Sequence, residues 1–212
     1  MKLFKERTHT DQKEASIDSK PTTVPAIVDD RLLWDSFRKG SESAFIDIYN
    51  TYFQILYDFG RQYSGDPDLV KDCIQEVFIT IRVKRAKLPD VDSIKAYLIK
   101  SIRNKILTEI RDTRKKQHTG IVLSSLNFLV TPCFESILIN RQFNNDQIKK
   151  IQHSLSELSE RQREAVYHFY YADLGYEEIK TIMGFSSTRA ARNLVYRALS
   201  EIKKSFLKAT ID

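Results

Sequence analysis

The feature that most restricts this chain is the spacing of its large apolar residues, which recur three and four positions apart through segment after segment. Phe45, Ile48, Tyr49, Tyr52, Phe53 and Leu56 fall on one helical stripe behind Ser41, a residue type suited to an N-cap, and so predict an amphipathic helix. Asp66-Pro67 offers a second cap with proline in the first turn. It opens a helix to about Lys84 with Ile74, Val77, Phe78 and Ile81 facing inward. Pro89 ends the connection that follows, and Asp92 or Ser93 starts a third helix whose buried line is Ile99, Ile102, Ile106 and Ile110, reaching about Asp112. Period-two alternation is scarce and there are only six glycines, so a sheet is not expected. The helical patterns do not repeat at a fixed period, which argues against a solenoid.

Periodicity also divides the chain. Residues 1–30 read as a flexible N-terminal tail: they are polar, carry Pro21 and Pro25, and hold too few large apolar groups to offset the entropy of ordering. Residues 31–113 make a first helical domain. In 114–148 the pattern weakens among Arg114-Lys115-Lys116, Gly120, Ser124-Ser125 and Pro132, as expected of a linker. Ile121 to Leu123 and Phe128 to Val130 are nevertheless apolar enough to dock on something. Residues 149–212 read as a smaller second domain of three or four short helices divided by Ser159, Gly175 and Gly184. The expected fold is therefore all-α, two small helical domains joined by a flexible linker, which 212 residues accommodate comfortably.

A net charge of +6 favours a polyanionic partner, because phosphate contacts release counterions and so supply sequence-independent affinity. Cys73 and Cys133 have neither CxxC spacing nor a nearby histidine, so neither a disulfide framework nor a metal site is indicated. The four histidines, His9, His118, His153 and His168, are scattered, and there is no phosphate-cradling glycine loop or carboxylate cluster at metal-ligand spacing. No catalytic site and no cofactor are expected. The first 28 residues lack the apolar core of a signal peptide, and no apolar run approaches the ~18 residues of a membrane span. A cytoplasmic protein without membrane insertion is the expectation.

Three constellations stand out. From Tyr176 to Ala198, a short helix carrying Ile179, Ile182 and Met183 stops at Gly184, and Ser186 or Ser187 caps the next. This is the grammar of a helix-turn-helix. Ala191, Leu194, Val195, Ala198 and Ile202 form its inward stripe, which leaves Arg189, Arg192, Asn193 and Tyr196 together outside, able to reach base edges and phosphates. Cations dominate from Phe185 to Lys208, with Glu201 alone opposing them, while the acidic residues lie between Glu157 and Glu178. A second concentration lies on the helix closing the first domain, where Lys100, Arg103, Asn104, Thr108 and Arg111 share a face, with Lys95 and Lys105 adding charge and Tyr97 near the start. Aromatic and cationic side chains together suit an unstacked strand, although Tyr97 as core and the lysines as solvated surface explain the pattern as well. Third, Asp72, Gln75, Glu76 and Ile79 present an acidic, partly apolar face, which a solvated helix explains at least as well as a docking site.

At these residues the chain resembles the sigma-70-type factors of bacterial RNA polymerase, and among them the extracytoplasmic-function group that keeps only the second and fourth conserved regions. In the first domain the resemblance runs through Ala44-Phe45, Asp72-Cys-Ile-Gln-Glu-Val-Phe78, Tyr97-Leu98 and Ile102-Arg-Asn104 to Arg111. In the second it runs through Leu158-Ser-Glu-Arg-Gln-Arg-Glu-Ala165, Glu178-Ile179 and Ala191-Arg-Asn-Leu-Val-Tyr-Arg-Ala-Leu199. It covers about residues 31–113 and 150–207.

The resemblance implies a non-enzymatic initiation factor that directs core polymerase to promoters. Asp72, Gln75 and Glu76 would dock on the coiled coil of the polymerase's largest subunit. Arg103, Asn104, Lys105, Thr108 and Arg111, with Tyr97 and Lys100 of the same face, would recognise and melt the minus-ten element. Ser187, Thr188, Arg189, Arg192, Asn193, Tyr196 and Arg197 would read the minus-thirty-five element. The partners implied are core polymerase, promoter DNA and an anti-sigma factor. The family commonly carries Trp at Arg82, Asp at Thr108 and a small residue at Lys180. The rival reading is a plain helix-turn-helix regulator that binds duplex DNA without joining polymerase.

Overall fold

The structure, a computed structural model, describes residues 29–116, 128 and 145–208. The expected tail up to Val28 and most of the expected linker, Cys133 included, lie outside the described residues. Among the described residues there are eight α-helices and no strand. The first bundle contains α1 (Asp30–Arg38), α2 (Glu42–Gly60), α3 (Pro67–Lys84) and α4 (Ile94–Lys116), with a 3₁₀ turn at Arg85–Lys87. The second contains α5 (Asn145–Ser156), α6 (Glu160–Tyr170), α7 (Tyr176–Met183) and α8 (Thr188–Lys208).

The caps read from sequence are the caps observed. Ser41 Oγ accepts from the Ala44 amide at 3.2 Å, and Asp66 Oδ1 accepts from Asp68 and Leu69, with Pro67 in the first turn. Ser93 Oγ accepts from the Ala96 amide at 3.1 Å. Ser159 and Gln162 close a capping box on α6. Two lengths differ from expectation. α4 continues to Lys116 rather than ending near Asp112, and α8 is a helix of 21 residues rather than a short one.

Periodicity did not announce α1, yet α1 ties the first bundle together. Trp34 and Phe37 are buried, and Trp34 donates from Nε1 to the Pro89 carbonyl at 2.9 Å. Asp30 accepts from the Ile94 amide at 2.8 Å and from the Tyr52 hydroxyl at 3.1 Å, so a single carboxylate caps α4 and anchors α2. Burial, reinforced by the charge of Asp30, pushes the Tyr52 hydroxyl well above its ordinary range, so that it stays a donor. Around this frame Ile94, Leu98, Ile99, Ile102 and Ile106 of α4 are fully buried against α2 and α3.

In the second bundle α8 packs on α5, α6 and α7 through Ala191, Val195, Ala198 and Ile202, all buried. The two bundles also meet. Along the seam Phe59 of α2 packs against Tyr167 and His168 of α6, and Phe128 inserts with its ring 4.8 Å from that of Tyr63, in the turn after α2, and 5.6 Å from that of Tyr167. Phe128 is 1% exposed, so the apolar stretch expected to dock does so at this residue.

Gly60 marks the tightest approach in the first bundle, since a Cβ there would lie 2.5 Å from Val70 Cγ1 and 3.1 Å from Ile106 Cδ1. Gly60→Ala should therefore destabilise the protein by ~1–3 kcal/mol, overpacking outweighing the better helix propensity of alanine. Urea denaturation followed by circular dichroism measures it, and an unchanged midpoint would show that α2 and α3 have room to part.

Candidate polymerase and nucleic-acid interface

Three surfaces carry the residues singled out from sequence. The first lies on α3, where burial of Cys73, Ile74, Val77 and Phe78 turns Asp72, Gln75 and Glu76 to solvent, all three exposed. Beside them is an apolar groove lined by Phe45, Ile46 and Tyr49 of α2 and by Gln75, Phe78, Ile79 and Arg82 of α3. Ile46 and Ile79 are more than half exposed. Tyr49, expected on the inward stripe, sits at its margin, is 37% exposed, and packs edge-on against Phe78 at 4.9 Å. Arg82 lays its guanidinium 5.3 Å from the centroid of Phe45 and pairs with Glu42 at 2.8 Å. A cation over an aromatic face thus covers Phe45 where the family commonly has an indole.

The second surface is the outer face of α8. The turn before it is made by Gly184 at φ 68°, a left-handed conformation that favours glycine. Ser187 then caps α8 by accepting from the Ala190 amide at 3.2 Å. With the inward stripe buried, Arg189, Arg192, Asn193, Tyr196 and Arg197 are exposed together, Tyr196 by 73%. Ser187 is exposed as well, and Thr188 is half-buried, bonded through its hydroxyl to Glu177 of α7. Arg192 is braced over the ring of Tyr176 at 5.2 Å from the centroid, and that ring stacks on Phe169. Lys180 turns its ammonium outward to Glu177 at 2.7 Å, which keeps a long side chain out of the packing between α7 and α8.

The third surface, on α4, is less uniform than the sequence suggests. Lys100, Asn104, Thr108 and Arg111 are exposed, and the Thr108 hydroxyl donates back to the Asn104 carbonyl at 2.9 Å. Tyr97 is half-buried with its ring 5.1 Å from that of Trp34, so core packing claims much of it. Lys105 reaches Glu109 at 2.7 Å and also pairs with Glu76 of α3. It therefore joins the minus-ten set expected on α4 to the polymerase set expected on α3.

Arg103 turns inward to the second bundle. Its Nε donates to Glu164 Oε1 at 2.5 Å and its Nη2 to Glu164 Oε2 at 3.1 Å, while the Tyr63 hydroxyl donates to the same Oε1 at 2.5 Å. The Glu164 side chain is 5% exposed and that of Arg103 21%. Burial by itself would raise the Glu164 carboxyl, but the contacts from His168 and Arg103 reverse the effect and hold it at about 2. His168 Nε2 stands 3.5 Å from Glu164 Oε1, and neither of its ring nitrogens meets a hydrogen-bond partner among the described residues. Arg103 is thus the contact that the geometry supports best. Burial, then the charge of Glu164, pushes the Tyr63 hydroxyl well above its usual range.

Sequence reasoning missed Glu164 and His168, both on α6 and both buried. The signal available was the concentration of acidic residues between Glu157 and Glu178, apart from the cations of α8. One of them instead neutralises a cation of the chain's own α4. Among the described residues no group of His, Cys, Asp and Glu could hold a metal ion, and no helix is long and apolar enough to cross a membrane.

Comparison with known proteins agrees with this architecture. Residues 48–116 match the family model for Sigma-70 region 2, and residues 148–202 match that for Sigma-70, region 4. The chain is 24% identical over 167 residues to the extracytoplasmic-function RNA polymerase sigma factor SigM of Bacillus subtilis, covering 78% of this chain and 97% of that one. Among solved structures it shares its fold with CnrH, determined in complex with the cytosolic domain of CnrY. The TM-score is 0.56 at 17% identity, with 82% of this chain and 95% of that one covered. It also resembles the sigma factor RpoE in complex with the anti-sigma factor NepR from Bartonella quintana, with TM-score 0.55 and 20% identity over 77% of this chain and 96% of that one. With both regions matched in order, each on its own helical bundle, the chain belongs to the sigma-70 family of RNA polymerase sigma factors, in its extracytoplasmic-function group.

Proposed function

We propose that the chain directs core RNA polymerase to specific promoters and helps melt their minus-ten region, using the two bundles as two grips on one stretch of DNA. The observation that carries this reading is the pairing of a helix-turn-helix whose arginine face is open on α8 with a first bundle matched to region 2. A plain helix-turn-helix regulator would have no use for that second match. In its domain division, 31–113 binds core polymerase and the minus-ten element, 114–148 links, and 149–212 binds the minus-thirty-five element.

Each surface then has a role. The apolar groove and the exposed Asp72, Gln75 and Glu76 suit a helical partner with basic side chains, the coiled coil of the polymerase's largest subunit. Lys100, Asn104, Thr108 and Arg111 face the minus-ten strand, joined by Arg103, Lys105 and the edge of Tyr97 when their internal partners release them. Capturing unpaired bases offsets part of the cost of unstacking them, so melting proceeds without hydrolysis and the chain needs no catalytic chemistry of its own. Ser187, Thr188, Arg189, Arg192, Asn193, Tyr196 and Arg197 read the minus-thirty-five duplex from the major groove. The place of action is the cytoplasm. An anti-sigma factor is the expected regulator, as the two structural neighbours, each solved with a second protein, suggest.

Run-off transcription with purified core enzyme on a library of promoter fragments tests the whole reading, and a chain that never directs core enzyme to any fragment would sink it. Arg192→Ala should weaken promoter binding by the holoenzyme by ~1–3 kcal/mol if the guanidinium leaves Tyr176 for a base edge, and by less, with a shallower salt slope, if it meets phosphate alone. For polymerase, Asp72→Lys is a cleaner probe than reversal of Glu76, which would also place a cation beside Lys105. We expect Asp72→Lys to lower affinity for core enzyme in a pull-down titration while leaving the circular dichroism spectrum unchanged, and equal affinity would remove Asp72 from the interface.

A further inference from the structure

The structure fills the seat of Arg103 from within the chain. Its guanidinium meets the Glu164 carboxylate as a fork, Nε to one oxygen and Nη2 to the other, which is also how arginine grips the oxygens of a phosphate. We propose that Glu164 is an internal competitor for the promoter strand, a carboxylate that closes α4 against the second bundle and keeps Arg103 from DNA until the bundles part. The proposal rests on the reading of α4 as the minus-ten helix and deepens it.

Four observations support it. Arg103 is paired across the seam, its side chain 21% exposed against a Glu164 side chain 5% exposed, so a strand and Glu164 cannot both hold it. Closure is built rather than incidental, because the Tyr63 hydroxyl, in the turn after α2, secures the same carboxylate and Phe128 fills the space between Phe59, Tyr63 and Tyr167. α4 also packs along α7, the first helix of the helix-turn-helix, so the partner bundle covers more of α4 than one residue. Finally, the outer face of α8 and the groove between α2 and α3 both stay open in this arrangement. What is withheld is Arg103 of the minus-ten set, while the surfaces for polymerase and for the minus-thirty-five element remain available to be engaged first.

The energetics favour a switch over a permanent clasp. A buried ion pair adds little net stability over apolar packing, but losing one partner strands the other charge in a poorly solvated place. Removing the carboxylate should therefore tip the balance toward the open form, and any partner that binds only the open form shifts the same balance by mass action.

The test uses the full-length chain without polymerase, and reads its radius of gyration by small-angle scattering and its affinity for a short fluorescein-labelled single-stranded DNA of mixed sequence. Glu164→Arg should expand the protein, and the charge swap Arg103→Glu with Glu164→Arg should compact it again. Glu164→Ala should bind the strand about tenfold more tightly, equivalent to ~1.4 kcal/mol, and adding Arg103→Ala should cancel that gain. If the wild-type chain is already as extended as Glu164→Arg, or if Glu164→Ala binds no more tightly than wild type, the proposal is wrong. Should Glu164→Arg fail to show a helical spectrum, the alanine variant and the charge swap still decide. A chain that behaves as described here but supports no run-off transcription would refute the promoter function and leave the latch standing, whereas normal run-off with inert variants would refute the latch alone.

Discussion

The burial of one line of side chains, Ile94, Leu98, Ile99, Ile102 and Ile106, fixes nearly everything else about this molecule. A helix with a continuous apolar stripe has one rotation about its axis that puts the stripe in the core, and choosing it chooses the outward face as well. Because α4 packs against α1, α2, α3 and α7, that single rotation sets where the basic residues of α4 point and which of them meets the second bundle. Asp30 and Ser93 secure the start of the helix, so its register along the axis is held by polar contacts while its rotation is held by apolar ones.

The departures from the family pattern follow similar physics. Arg82 takes the place of a tryptophan and still offers a flat, weakly hydrated surface to Phe45, tied down by Glu42. Lys180 occupies a position that favours a small residue and escapes by extending to Glu177, whose other oxygen holds Thr188 at the start of α8. Thr108 bonds its own helix backbone, which leaves that position without the carboxylate of its relatives and with a small polar surface instead. Arg82 thus makes contact with α2 and Lys180 stays clear of α8, whereas Thr108 is satisfied within its own helix.

Much of the fold was legible in the residues. Periodic apolar stripes with Ser or Asp ahead of them located α2, α3, α6 and α8 because caps and stripes are local, and local rules need no knowledge of the partner. α1 escaped because nine residues carry only two or so turns of pattern, and its value lies in Trp34, Phe37 and Asp30 reaching other helices. The candidate surfaces divide the same way. The exposed face of α8 followed from its own stripe, whereas the pairing of Arg103 with Glu164 joins residues 61 positions apart, and no local pattern in either helix encodes it. Likewise the apolar half of the groove combines Ile46 and Tyr49 of one helix with Ile79 of another, a juxtaposition that no single stripe encodes.

Phe128 sits between the bundles, its ring against Phe59 and Tyr63 on one side and Tyr167 on the other, so a side chain that belongs to neither bundle is shared by both. Covalent connection makes the meeting of two modules an intramolecular event, in which a local concentration replaces the bulk one. An aromatic ring seated among rings of both modules is stripped of its neighbours on two sides at once if they separate, so one residue couples the exposure of one face to that of the other.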